Sequence, residues 1–133
     1  MKYSKATNYA LHTMLYLASI EPDKPVGVKQ LAEKQRVSST YLSKILAKLV
    51  KAGLIESTSG ANGGYRLKAN REEISFLDII QAIEGTASLF DCCIHHDTDC
   101  AIQKVMLSSE KMMEQYLKEK KIYELVHQVD VSL

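Results

Sequence analysis

The chain has 133 residues, 46% of them hydrophobic, and a formal net charge of +1. That length supports one domain, or one domain with an appended element, around a real core. No apolar run is long enough to span a bilayer and no basic-then-apolar leader opens the chain, so membrane insertion and secretion are not expected and the cytoplasm is.

The charge is unevenly spread. Residues 1–71 hold 12 Lys/Arg against 4 Asp/Glu, a balance of +8, and residues 72–133 hold 5 against 12, a balance of −7. A basic front half and an acidic back half fit a nucleic-acid-binding part joined to something that does not touch the polyanion. Three cysteines cannot close an intrachain disulfide set, so they are read as thiols or ligands.

In chain order, Ser4 is an acceptable cap for a first helix over residues 5–20, with Ala6, Ala10, Met14 and Leu17 at helical spacing. Pro22 and Pro25 stop it. A short second helix is predicted over residues 28–35, with Leu31 and Ala32 inward, and Arg36-Val37 makes the turn. Ser38 or Ser39 then caps a third helix over residues 39–52. Its Leu42, Ile45, Leu46 and Leu49 form a core-facing stripe, while Thr40, Lys44, Ala47 and Lys51 lie on the far side with Lys48 beside them. Gly53 ends it. Residues 54–57 and 65–68 read as strands joined by the glycine turn of residues 60–64. Two short helices, a tight stop and a hairpin are the layout of a winged helix-turn-helix.

A polar link at residues 70–73 leads to Ser75 and Asp78, a capping pair for a fourth helix that carries Phe76, Leu77, Ile79, Ile80 and Ile83. Periodicity is lost over residues 86–99. A long helix follows over residues 102–121. Its apolar positions Ile102, Val105, Met106, Met112, Met113 and Tyr116, with Leu117, ask for a partner helix, and self-pairing is the economical answer; the other arrangement folds the stripe back on its own domain. Residues 122–131 are apolar enough to dock as a short final helix or strand. The expected architecture is mainly α with a small β-hairpin. It divides into a winged helix-turn-helix unit at 1–85, a cysteine-containing loop at 86–100, and a dimerisation helix with its tail at 101–133.

On double-stranded DNA the third helix would enter the major groove, with Thr40 and Ser43 reaching base edges and Tyr41 touching backbone or base methyls. Ser38 and Ser39 open that helix. Lys44, Lys48 and Lys51 would bind phosphate, helped by Lys2 and Lys5. Asn62 in the wing turn would approach the minor groove or nearby phosphates. Arg66 either faces DNA or pairs with a local carboxylate. In the loop, Cys92, Cys93 and Cys100 are candidate metal or redox residues, with His95 and His96 as further ligands among Asp91, Asp97 and Asp99. Zinc or an iron–sulfur cluster, redox-active thiols without a cofactor, and inert cysteines all remain open readings.

Several stretches together resemble the Rrf2 family of bacterial winged helix-turn-helix transcription regulators over essentially the whole chain. They are Tyr9-Ala10-Leu11 with Leu17-Ala18, Val37-Ser38-Ser39-Thr40-Tyr41-Leu42, Leu46-Ala47-Lys48-Leu49 and Ala52-Gly53-Leu54-Ile55. Gly60-Ala61-Asn62-Gly63-Gly64-Tyr65-Arg66-Leu67 and Ile79-Ile80-Gln81-Ala82-Ile83-Glu84-Gly85 complete the set. The resemblance implies a homodimer crossed through its long C-terminal helices, binding palindromic promoter DNA, usually as a repressor. It also implies sensing of iron–sulfur status, nitric oxide, iron or cysteine supply.

The chain departs from the family in several places. Cys93 and Cys100 align with the first two of three cluster cysteines after a one-residue shift, but the third position falls near Val105–Met106, and Cys92 is extra. Asn8 stands where one group supplies a carboxylate from the first helix. Ser59 replaces a base-reading arginine before the wing glycines, so the recognised sequence should differ. An enzyme is not expected, because there is no ordered nucleophile–base–orienter set and the glycine turn lacks the lysine and helix of a phosphate loop. The alternatives to a sensing regulator are a winged-helix protein-interaction module and a DNA-binding paralogue that has lost its cofactor.

Overall fold

The computed structural model describes residues 3–68, 70–90 and 100–128. Helix α1 spans Lys5–Ala18, α2 Val28–Gln35 and α3 Ser39–Lys51; strands β1 (Ile55–Thr58) and β2 (Gly64–Leu67) follow, then α4 (Phe76–Glu84) and α5 (Ala101–Glu119). Two 3-10 segments, Arg71–Glu73 and Ile122–Gln128, precede α4 and follow α5. The expected mainly α fold with a winged hairpin is the one observed.

Helices α1, α3 and α4 each start on a serine cap. The Ser4 hydroxyl accepts the Thr7 N–H at 3.3 Å, and the Ser38 hydroxyl accepts the Tyr41 N–H at 3.1 Å. At α4, Ser75 and Asp78 make the full reciprocal capping box, both bonds 3.0 Å, so the shorter aspartate suffices. Helix α1 stops two residues before its expected end. The Arg71 guanidinium reaches across to the carbonyls of Ala18 and Ile20 at 3.0 and 3.2 Å and satisfies acceptors that the broken helix leaves over.

One core joins these elements. Ala10, Met14 and Leu17 of α1, Leu31 of α2, the α3 stripe, Ile55, Leu67, Ile79 and Ile122 form a single buried cluster. Thr13, buried beside them, accepts a 2.7 Å bond from the Gln35 amide and ties α1 to α2. Ile122 means that the chain after α5 returns to the first unit. Phe76 donates to the Lys120 carbonyl at 2.9 Å and Ile122 to the Ile74 carbonyl at 3.0 Å, a short antiparallel bridge at the start of α4. The 3-10 segment beyond it packs on α1. One core therefore spans both sides of the sequence divisions at 85 and 101.

The hairpin is antiparallel, pairing Ile55 with Leu67, Glu56 with Arg66, Ser57 with Tyr65 and Thr58 with Gly64. Both strands lie one residue away from the predicted positions, because the turn closes earlier, at Gly64. A third strand position comes from Val26, which exchanges both backbone bonds with Tyr65 at 2.8 and 2.9 Å. That bridge pins the wing to the entry of α2. It also brings backbone against backbone, and a Cβ on Gly64 would lie 2.6 Å from the Val26 carbonyl carbon.

Gly64→Ala should therefore lose about 2–4 kcal/mol in a urea titration, since neither partner is a flexible side chain. Gly53, also at positive φ (79°), has nothing within 4 Å of a built Cβ. Gly53→Asn should cost under about 1 kcal/mol, because asparagine tolerates the left-handed region. Equal losses in the two variants would remove the close approach as the cause.

Candidate nucleic-acid interface

The candidate surface starts with the two sides of α3. Leu42, Ile45, Leu46 and Leu49 are buried, and this anchors the helix by its underside. Thr40, Lys44, Ala47, Lys48 and Lys51 are all exposed on the other side, as the period of the helix predicts. Three ammonium groups and one hydroxyl thus share an open face, and no ion pair neutralises the lysines among the described residues.

The serines are partly committed elsewhere. Ser38 is exposed, but its hydroxyl is spent on the cap. Ser39 is half-buried, and its carbonyl accepts the Ser43 hydroxyl at 2.7 Å. Ser43 keeps acceptor capacity only, so the base-reading role assigned to it from sequence narrows to accepting from a base amino group. Thr40 is then the less encumbered hydroxyl on this face.

Tyr41 is 38% exposed and stands edge-on to Tyr9 of α1, with ring centroids 5.7 Å apart and planes at 84°. That geometry is favourable for two aromatic quadrupoles and sets the direction of the Tyr41 phenol. The contact of Tyr9 with Tyr41 was not visible from sequence.

In the wing, Ser59 and Asn62 are exposed on the turn. Arg66 lies directly across from Glu56, and its Nε donates to the carboxylate at 2.8 Å. Of the two outcomes open from sequence, the local pair is the one formed. The guanidinium is engaged beside its own carboxylate, which weakens it as a phosphate ligand.

A second group near this face involves Glu84, the last residue of α4. Its carboxylate accepts from the Ser4 N–H at 2.8 Å, the Ser4 hydroxyl at 3.0 Å and the Thr7 hydroxyl at 2.6 Å. The carboxylate thus sits on the positive end of α1, where unpaired amides favour an anion. The Thr7 hydroxyl, then the Ser4 amide, hold its carboxyl below the ordinary value, and the Lys48 cation adds to them against partial desolvation. The sequence shows Ser4 as a cap but gives no sign of a carboxylate arriving from eighty residues away.

Helix α5 has two apolar sides. Ile102, Val105, Met112 and Tyr116 are between 60 and 73% exposed and line one side, with Met106 at its margin. Met113, beside them on the helix, is half-buried and turned toward α4. Its sulfur accepts the Tyr3 hydroxyl at 3.6 Å, and with Leu117 it lines a cavity against α4. The sequence stripe therefore merged two faces, and Met113 belongs to the side that docks on its own chain. Of the proposed loop ligands, Cys92, Cys93, His95 and His96 lie outside the described residues, as do Lys2, Asp91, Asp97 and Asp99. Cys100 is half-buried at the cap position just before α5 and makes no side-chain capping bond there. No helix among the described residues is long and apolar enough to cross a membrane.

Comparison with known proteins gives one consistent result. A family model described as "Rrf2: Iron-dependent Transcriptional regulator" matches residues 3–128. The HTH-type transcriptional regulator NsrR of Halalkalibacterium halodurans is 36% identical over 105 residues, covering 79% of this chain and 72% of that protein. The structure of CymR, the global cysteine regulator of B. subtilis, superposes with a TM-score of 0.84 at 27% identity, covering 98% of this chain and 99% of that one. The oxidized form of Staphylococcus aureus CymR superposes with a TM-score of 0.78 at 32% identity, covering 98% and 99%.

The Glu84 contacts predict a pH dependence. A carboxyl held below its ordinary value contributes stability that is complete above that value, near 4.5, and is lost as pH falls through the lower folded value. Glu84→Gln should lower the melting temperature at neutral pH by roughly 2–4 °C. The gap to the parent protein should stay constant down to about pH 5 and close below it. A gap independent of pH would show that hydrogen bonding without charge accounts for the contact.

Proposed function

Because the chain belongs to the Rrf2 family of DNA-binding transcriptional regulators, and is a regulator rather than an enzyme, we propose that it is a homodimeric repressor of palindromic promoter sites in the bacterial cytoplasm. The observation that carries this reading is the open cationic face of α3, with its wing on one flank and the exposed apolar side of α5 elsewhere on the same rigid core. The first surface matches a polyanion and the second matches a copy of itself. A two-fold dimer would place two α3 helices on successive major grooves.

Each part of the face then has a role. Lys44, Lys48 and Lys51 neutralise phosphates and set the register without reading sequence. Thr40 contacts base edges, Ser43 accepts from an exposed amino group, and Ser59 with Asn62 brings the wing to the neighbouring groove. Ser38 and Ser39 act through the helix start, where backbone amides also suit phosphate. Arg66 stiffens the wing through Glu56. On α5 the dimer contact uses Ile102, Val105, Met106, Met112 and Tyr116, with Met113 behind them.

For the sensing role, the donor set favours thiols over a cluster. The turns of α5 after Cys100 present Ile102, Val105 and Met106, none of which ligates iron in the way a third cysteine does. Cys100 sits at the start of α5. We read the switch as disulfide formation between Cys100 and Cys92 or Cys93: two thiols lose two protons and two electrons, and a peroxide oxidant is reduced to water or alcohol. The relative solved in an oxidized form supports this reading. A zinc or iron–sulfur site built from the cysteines with His95 and His96 is the second reading, supported by the iron in the family's description.

Two measurements check this. Binding to duplex DNA should weaken steeply with salt, and Lys44→Ala should flatten the log–log slope by about 2 per dimer while reducing affinity for every sequence alike. Thr40→Ala should instead change the preferred base at one position per half-site, by about 1–3 kcal/mol. Unchanged affinity in both variants would take α3 out of the interface. Anaerobic purification should give a colourless protein without stoichiometric iron, sulfide or zinc, whose DNA affinity falls on oxidation and is insensitive to oxidant in Cys100→Ser. A coloured, iron-loaded protein would overturn the thiol reading and leave the DNA reading standing.

A further inference from the structure

Between α4, the linker after it and α5 lies a cavity of about 240 Å³. Its apolar walls are Leu77 and Ile80 of α4 with Met113 and Leu117 of α5. Its polar rim is one-signed. Glu84, Glu110 and Glu114 all line it, and no lysine, arginine or histidine does.

The three carboxylates are not equivalent. Glu84 is committed to the start of α1, as described above. Glu110 is committed to the linker, where it accepts from the Ser88 hydroxyl at 2.7 Å and the Leu89 N–H at 3.0 Å. Glu114 is half-buried and makes neither an ion pair nor a hydrogen bond among the described residues. The cavity thus presents an apolar interior, two carboxylates that fix its walls, and a third left over for a ligand. Every charged group that lines the cavity is negative, so the rim selects against carboxylates and phosphates.

We propose that this cavity is a binding site for a small organic cation: an ammonium head on Glu114 with an apolar body among Leu77, Ile80, Met113 and Leu117. A cavity of 150 Å³ accepts a benzene ring, so this one accommodates roughly ten non-hydrogen atoms. That is the size of an arylalkyl or cycloalkyl amine rather than of a nucleotide. Charge complementarity favours the amine over an equally apolar neutral molecule.

The location gives the site a consequence. It lies where α5 docks against the last helix of the reading unit, and Glu84 connects its rim to the start of α1. A ligand that widens the α4–α5 contact would move the apolar dimer side of α5 relative to α3, and so change DNA affinity. This consequence rests on the DNA-binding reading; the binding itself does not.

The test therefore reads binding without DNA. The full-length protein, with carbon-13 methyl-labelled methionine, is titrated with phenethylamine and cyclohexylmethylamine. Neutral 2-phenylethanol and anionic phenylacetate are the comparisons, and Met113→Leu assigns the reporter signal. The amines should shift the Met113 methyl saturably at concentrations up to a few millimolar. Phenylacetate should not bind, and Glu114→Gln should weaken the amines by roughly tenfold while leaving the weaker alcohol unaffected. Any of three results overturns the proposal: neither amine moves the Met113 methyl, phenylacetate binds as well as the amines, or Glu114→Gln binds the amines unchanged. Operator binding is measured separately, so a protein that takes amines without responding on DNA would overturn only the coupling.

Discussion

Four side chains on one side of α3, Leu42, Ile45, Leu46 and Leu49, are sealed to 3% exposure or less against α1, α4 and the hairpin. Removing such a side chain typically costs about 2–5 kcal/mol, whereas changing a surface lysine usually costs under about 0.5. One helix therefore carries stability on its underside and an open cationic face on its outer side, and the two vary nearly independently. The position and tilt of Thr40, Lys44, Lys48 and Lys51 are set by residues that never see solvent. A shift of the underside would move all the outer groups together.

The wing depends on the same core through a different route. A two-stranded hairpin is marginal by itself in water. Here Ile55 and Leu67 dock into the core, and the Val26–Tyr65 bridge adds a third backbone position. Gly64 permits that approach. The Glu56–Arg66 pair lies on the opposite face of the strands from Ile55 and Leu67 and is about one-third exposed on both sides, so it contributes little energy. What it supplies is direction, since it holds a long cation over the sheet.

Helix α5 is tied to the core on one side and open on another. One side of it packs on α4, one side is open, and the chain beyond it comes back to bridge Ile74 and Phe76 and to bury Ile122. The exposed apolar side of α5 and the cationic face of α3 are therefore tied to one core. Glu84 is a second tie, from the end of α4 to the start of α1. The joint of α4 and α5 is connected to α3 through α4, which contacts both helices.

The sequence by itself determined the element order, the helix caps and which side of α3 faces the core. Those follow from local rules: a serine oxygen ahead of an apolar period, glycine where φ turns positive, proline where a donor is missing. It also put the lysines outside, because the period leaves them no other side. Tertiary structure alone decided the rest. Arg66 was ambiguous until the register set Glu56 opposite it, and Met113 was grouped with Met112 until α4 claimed one side of α5. Neither Glu84 on α1 nor Arg71 at its far end could be read from spacing, because a polar side chain's partner is chosen by where the folded chain brings a donor or acceptor. Apolar burial repeats along the sequence and can be seen in it; a hydrogen bond between residues eighty apart has no period, and exists only once the core has placed both ends.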